Sequence, residues 1–185
     1  MRYWYLLLFV LLIAGCDGGE REQEYNKIKI EKTYPYLCKK ISVNDIDEGM
    51  VELFKNKILP IDSEIQLYEN SLFDLFSEEL KEELSQCNFN KYTLIVASSS
   101  VLYEVTDLEF SFWYNTYFSE YTYNQTVYSK PLVEPIEAIY LTINLFTINK
   151  IPDNSKLIYN MTTIRDGDKW TTTVPQSTAS ALQYE

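Results

Sequence analysis

The stretch TTIRDGDKWTTTV, Thr162–Val174, carries the clearest local instruction in the chain. Asp166-Gly167 fits the two central positions of a type I′ turn, where both residues need positive φ and the backbone twist matches that of the flanking strands. β-Branched and aromatic residues on either side suit a pleated, half-buried surface. A two-residue loop sets register, so Arg165 is expected opposite Asp168 and Thr163 opposite Trp170. Upstream, Pro152-Asp153-Asn154 marks another turn. Before it, Ile139, Leu141, Ile143 and Leu145 recur with a period of two. Glu137–Lys150, Ser155–Arg165 and Asp168–Val174 are therefore expected to form an antiparallel meander. The same period governs Leu108, Phe110, Phe112 and Tyr114, and earlier Tyr92, Leu94 and Val96.

Upstream of Tyr92 the period is helical. Asn44 is expected to cap a helix with Asp45, Asp47 and Glu48 in its first turn. Ile46, Met50, Val51, Phe54 and Ile58 follow at helical spacing, and Pro60 stops the run. Asp62 is expected to cap a second helix with Ile65 and Tyr68 inward. Ser71 with Asp74 has the form of a capping box. Leu72, Phe73, Leu75, Phe76, Leu80 and Leu84 then make an apolar face, with the charges of SEELKEEL outside. A short strand is expected within Tyr25–Lys32, and Pro35 and Cys38 fall in a connecting segment. Helices first and strands afterwards give an α+β domain: N-terminal amphipathic helices packed on a C-terminal, strongly twisted antiparallel sheet.

The N-terminus has a different logic. Arg2 precedes an apolar run from about Tyr3 to Ile13, too short for a span that needs about 20 residues. A basic start, a short apolar core and small residues at its end make a secretory signal. The ending Ile13-Ala14-Gly15-Cys16 resembles the lipobox of bacterial lipoproteins. That resemblance implies acylation of Cys16, with palmitate-type chains, and cleavage before it; more than one chain meets the physical requirement for a stable anchor. The expected organisation is a signal peptide over 1–15, a polar tether over 16–24, one domain over 25–175 and a polar tail over 176–185. In enteric lipoproteins Asp after the lipidated cysteine retains the protein in the inner membrane. The resemblance gives Asp17 that sorting role and puts the domain in the periplasm, with the outer membrane or cell surface as the other destinations.

Composition narrows the chemistry. The 185 residues hold 16 basic and 27 acidic side chains and no histidine. Loss of residues 1–15 removes one basic residue, Arg2, and leaves a net charge of −12. This disfavours nucleic acid and anionic headgroups as partners. Without histidine there are no Ser-His-Asp or Cys-His triads and no His ligands. Cys38 and Cys87 are too far apart for a zinc pattern. No phosphate or dinucleotide loop occurs, so no catalytic residue, metal or cofactor is expected. With Cys16 lipidated, the even remainder permits a Cys38–Cys87 disulfide in an oxidising envelope, worth on the order of 4 kcal/mol for a loop of that length; two buried thiols are the other reading.

The order of elements, ending in Asp166-Gly167-Asp168-Lys169-Trp170, resembles the cystatin-like cone of the nuclear-transport-factor superfamily. Some of its members are isomerases or dehydratases with polar residues in the mouth of the cone, and no such residue matches here. Two segments remain as candidate contact surfaces. Phe110–Tyr128 is densely aromatic, and alternation sends some rings outward: Trp113, Tyr117 and Tyr121 would make a rigid interface, or the rings simply clad the sheet. Residues 45–83 carry 12 acids against Lys55, Lys57 and Lys81. Glu78, Glu79, Glu82 and Glu83 could steer a basic partner, or be a solvated helix face. Two functions stay open: a lipid-anchored, non-catalytic binding module of immunity, inhibitor, exclusion or assembly type, and a small-ligand carrier or carboxylate enzyme with a pocket between sheet and helices.

Overall fold

A computed structural model describes residues 25–46, 50, 54–131, 136–153, 155–165 and 168–176; for 165 and 168–176 only the backbone is considered. The protein is α+β and mostly sheet. Its strands are β1 (Tyr25–Lys27), β2 (Lys32–Thr33), β3 (Leu37–Ser42), β4 (Lys57–Ile61), β5 (Tyr92–Val101), β6 (Val105–Asn115), β7 (Glu120–Ser129), β8 (Ala138–Asn149), β9 (Lys156–Arg165) and β10 (Asp168–Gln176). Among the described residues two α-helices, α1 (Glu64–Tyr68) and α2 (Glu78–Ser85), lie between β4 and β5. The expected signal peptide and lipobox, with Cys16 and Asp17, and the residues after Gln176 lie outside the described residues.

The strands form two sheets, not one. The outer sheet has the order β1-β6-β7-β9-β10; the central sheet has the order β2-β8-β5-β4, with β3 also on β8. The β9–β10 hairpin keeps the expected register, Arg165 opposite Asp168 and Thr163 opposite Trp170; Asp166 and Gly167 themselves lie outside the described residues. The expected meander fails one strand earlier. β8 pairs with β5 in the central sheet, while β9 runs parallel to β7 in the outer one. The turn at Pro152 is present, with the Ser155 hydroxyl donating to the Pro152 carbonyl at 2.6 Å. Ile151, however, is buried between the sheets, and its N–H donates to Thr93 Oγ1. The chain therefore crosses from one sheet to the other. Two reversals after β7 bring β9 back along β7 in the same direction.

Alternation in β5 and β8 serves two cores. Leu94, Val96, Leu141, Ile143 and Leu145 meet the helical layer, where Leu67, Leu72, Phe73, Phe76 and Leu84 are buried. Ile95, Ala97, Phe146 and Ile148 face the outer sheet and pack with Phe112, Tyr123, Val127, Leu157 and Tyr159. Both faces of β5 and β8 are buried, as in strands covered on either side generally. The result is three layers: outer sheet, central sheet, helices. The cone expected from the DGDKW hairpin is replaced by two sheets facing each other, with helices covering one side only.

The helical reading of 45–58 is corrected in its described parts. Val43–Asp45 is a 3-10 turn capped by Ser42, not Asn44; Ser42 Oγ accepts from the Asn44 N–H at 3.3 Å. Lys57–Ile61 is a strand with Pro60 opposite Ile95. Pro60 is tolerated because β4 is an edge strand and needs no donor on its open side. In α1 the cap is Ser63, and Leu67 is the inward residue; Ile65 and Tyr68 point out. Asp62 instead binds Thr93 Oγ1 at 2.6 Å and Lys150 at 2.8 Å. The Ser71–Asp74 box does not form. Ser77 caps α2 through the Leu80 N–H, and the apolar face from Leu72 to Leu84 packs as expected. The N-terminal strand is cut short: β1 pairs with β6, then the chain crosses so that the Glu31 N–H donates to the Thr147 carbonyl.

Candidate functional site

The outer sheet turns its odd-numbered β6 residues and even-numbered β7 and β9 residues away from the core. These side chains form an open hollow of about 540 Å³ lined by Tyr25, Trp113, Glu120, Thr122, Asn124, Ile158 and Asn160. Register explains the grouping: Trp113 stands opposite Thr122 on one side and Lys27 on the other, and Asn124 opposite Asn160. Trp113 Nε1 donates to Ser111 Oγ at 2.9 Å, which fixes the indole within its strand. Asn160 Nδ2 donates to Asn124 Oδ1 at 2.9 Å. Glu120 is buried and paired at 2.6 Å with Lys156, whose side chain stays half exposed. A smaller hollow of about 270 Å³ lies at the other end, with Lys40, Tyr103, Glu104, Lys130 and Tyr140 in its lining.

Next to the larger hollow is the β6–β7 hairpin tip. Asn115 is fully buried, and its Oδ1 accepts from the N–H groups of Tyr117 at 2.9 Å and Phe118 at 3.1 Å. Ser119 takes φ 53°, the left-handed conformation that closes the turn. The Tyr117 and Phe118 rings meet edge to face with centroids 4.8 Å apart, and both are about half exposed.

The structure separates the aromatic residues singled out in the sequence. Trp113 lines the hollow and Tyr117 caps the tip, but Tyr121 turns inward. Its ring stacks on Phe112 and sits 4.7 Å from Tyr114, and burial pushes its phenol pKa up. Phe110, Phe112 and Tyr123 likewise pack around Phe146, the first and last stacked on it and Phe112 edge to face. Most of the aromatic segment thus clads the space between the sheets. The acidic residues belong to a different layer. Glu78, Glu79 and Glu82 are exposed on α2; Glu83 pairs with Lys32 at 2.7 Å and Glu78 with Lys81 at 2.8 Å. They and Trp113 lie in the two opposite outer layers and do not form one patch.

Cys38 and Cys87 are free thiols, in place of the expected disulfide. Cys38 is in β3, opposite Thr142, and not in a connection. Leu37 and Ile41 of that strand pack toward the helices, so the pleat turns Cys38 to the other face. Cys87 follows α2 in the helical layer, on the far side of the sheet. Burial pushes both thiols up in pKa, with Lys32 and Lys150 partly opposing this at Cys87.

One constellation had no sequence signal. Between the sheets, Gln125 Nε2 donates to Ser99 Oγ at 2.8 Å, and Gln125 Oε1 accepts from the hydroxyls of Tyr123 at 3.0 Å and Tyr159 at 3.2 Å. Asn144 Nδ2 donates to Tyr123 Oη at 2.6 Å, and the Ser99 and Thr142 hydroxyls hydrogen-bond each other, with either able to donate. All six side chains are buried, and both phenols are held far above their ordinary pKa by desolvation. A network this enclosed sets the alignment of the two sheets and offers no acid or base at neutral pH. Among the described residues, no group of three acids or thiols is placed to hold a metal, and no helix is long and apolar enough to cross a membrane. Compared with protein-family models, with curated proteins and with solved structures, the chain matches none.

Proposed function

We propose that the chain is a membrane-anchored envelope lipoprotein that works as a non-catalytic binding module, meeting its partner with the outer face of the outer sheet. The anchor is Cys16, acylated after cleavage of residues 1–15, and Asp17 holds the protein at the inner membrane facing the periplasm. The observation that carries the binding reading is where the open space lies. The hollow around Trp113 and Tyr25 is on the molecular surface. The space between sheet and helices is filled by Leu72, Leu84, Leu94, Leu141 and Ile143, all fully buried. That arrangement supports an interface with another protein over a carrier or enzyme with an internal pocket. Trp113 is the expected anchor residue of that interface, since a large ring fixed by its own hydrogen bond loses little freedom on binding. The acidic face of α2 is a second, separate surface that would speed encounter with a basic partner without being buried in it.

Crosslinking in native membranes, followed by recovery of the tagged full chain, tests this. Trp113→Ala is expected to remove the crosslinked species that the parent gives, while Glu78→Lys with Glu82→Lys slows its appearance without abolishing it. Unchanged crosslinking by Trp113→Ala would overturn the interface. Separately, Cys16→Ser should leave the precursor unprocessed or untethered; equal mass and equal membrane partition to the parent would overturn the anchor.

A further inference from the structure

We propose that the hairpin tip at Tyr117 and Phe118, with Tyr25 beside it, rests on the same lipid bilayer that holds the acylated Cys16, so that the domain stands on the membrane by this end. This rests on the lipoprotein reading above. The key is where the tether joins the fold. Tyr25, the first residue of β1, pairs with Asn115, the residue that clamps the tip. Nine peptide links separate Cys16 from Tyr25, a reach of at most about 30 Å. The anchored chain therefore enters the domain at the base of this hairpin, and the opposite end of the outer sheet, at Glu104 and Lys130, points away.

The tip has the character of a membrane contact. Tyr117, Phe118 and Tyr25 are 55%, 50% and 47% exposed, an unusual cluster of half-bare rings at one corner. Aromatic rings with a polar edge favour the headgroup region. The Asn115 clamp and the edge-to-face ring contact fix the tip before it touches anything, so insertion costs little conformational entropy. Lys27 is exposed on the same end of the sheet and can extend toward headgroups along its apolar stem. The acids of α2 lie in the layer on the other side of the central sheet, away from this contact. Trp113 then sits one pleat above the bilayer surface, where a partner embedded in or crossing that membrane would meet it.

The test uses the full-length lipidated protein in vesicles of phosphatidylethanolamine and phosphatidylglycerol. Cys38 and Cys87 are replaced by Ser, and an environment-sensitive dye is placed at Ser119→Cys or, as the distal control, Thr106→Cys. Lipids with a headgroup quencher should quench the tip dye several-fold more than the control dye. Tyr117→Ser with Phe118→Ser should erase that difference while the protein still floats with the vesicles through its acyl chains. Equal quenching at both positions, with flotation intact, overturns the docking and leaves the anchor standing. Failure of the parent to float overturns the anchor, and the docking with it.

Discussion

Replacing Gln125 by Leu removes the hub of the network between the sheets while nearly keeping its volume. Gln125 Oε1 is the acceptor for the Tyr123 and Tyr159 hydroxyls, and its Nε2 donates to Ser99. Ser99 and Thr142 still have each other. The two phenols lose that shared acceptor inside a region from which water is excluded. Each buried O–H left without an acceptor costs about 1–3 kcal/mol, so Gln125→Leu should destabilise by about 4 kcal/mol. That is a large share of the roughly 5–15 kcal/mol that holds a domain together, and it lowers Tm by roughly 8–16 °C at this size. Tyr159→Phe removes only one hydroxyl, and Gln125 Oε1 keeps Tyr123 as a donor, so the cost falls to about 1 kcal/mol. In the double variant Tyr159 has no hydroxyl left to orphan. It should be no less stable than Gln125→Leu alone, giving a favourable coupling of about 1–2 kcal/mol. Urea unfolding followed by far-ultraviolet circular dichroism measures all four corners. A Gln125→Leu cost no larger than that of Tyr159→Phe, or strictly additive costs, would refute the idea that this network aligns the sheets.

The same phenols make stability depend on alkaline pH. Burial raises Tyr123 and Tyr159 above the value near 10 that they have unfolded, so above pH 10 the unfolded chain releases protons that the folded chain keeps. Their contribution is complete below pH 10 and is lost as pH rises beyond it, at up to about 1.4 kcal/mol per pH unit for each phenol. Urea midpoints should agree at pH 8 and 9 and drop at pH 11, and Tyr159→Phe should lessen the drop; parallel curves for parent and variant would count against it. The two cysteines should both accept iodoacetamide without prior reduction, and slowly at neutral pH, because burial raises both thiol pKa values. A chain that takes up no label until reduced would show that they pair after all.

Local instructions were legible in the sequence where neighbouring residues settle the outcome. The Asp166-Gly167 signal gave the β9–β10 register because a two-residue loop leaves the flanking strands one way to pair. The run from Leu72 to Leu84 gave its buried face because helical periodicity needs only one apolar surface to lean on. The sequence pattern also identified β5, β6 and β8 as strands, but a period of two says only that side chains alternate. It cannot say which sheet a strand joins. In β5 and β8 both faces are covered, and the polar side chains of Ser99, Thr142 and Asn144 are buried at the contact between sheets. Ile58 fell at helical spacing with Ile46 and Phe54, yet it lies in a strand, because the exposed edge of β5 offers Lys57–Ile61 a ladder that local propensity cannot foresee. The site followed the same division. Trp113 and Tyr117 were visible as aromatic residues, and Tyr121 was not distinguishable from them until the pleat turned it inward. Gln125 gave no signal at all: a lone glutamine in a strand becomes a hub only when a second sheet closes over it. Which strands meet is decided by contacts between residues far apart in the chain, and those contacts exist only in the folded structure.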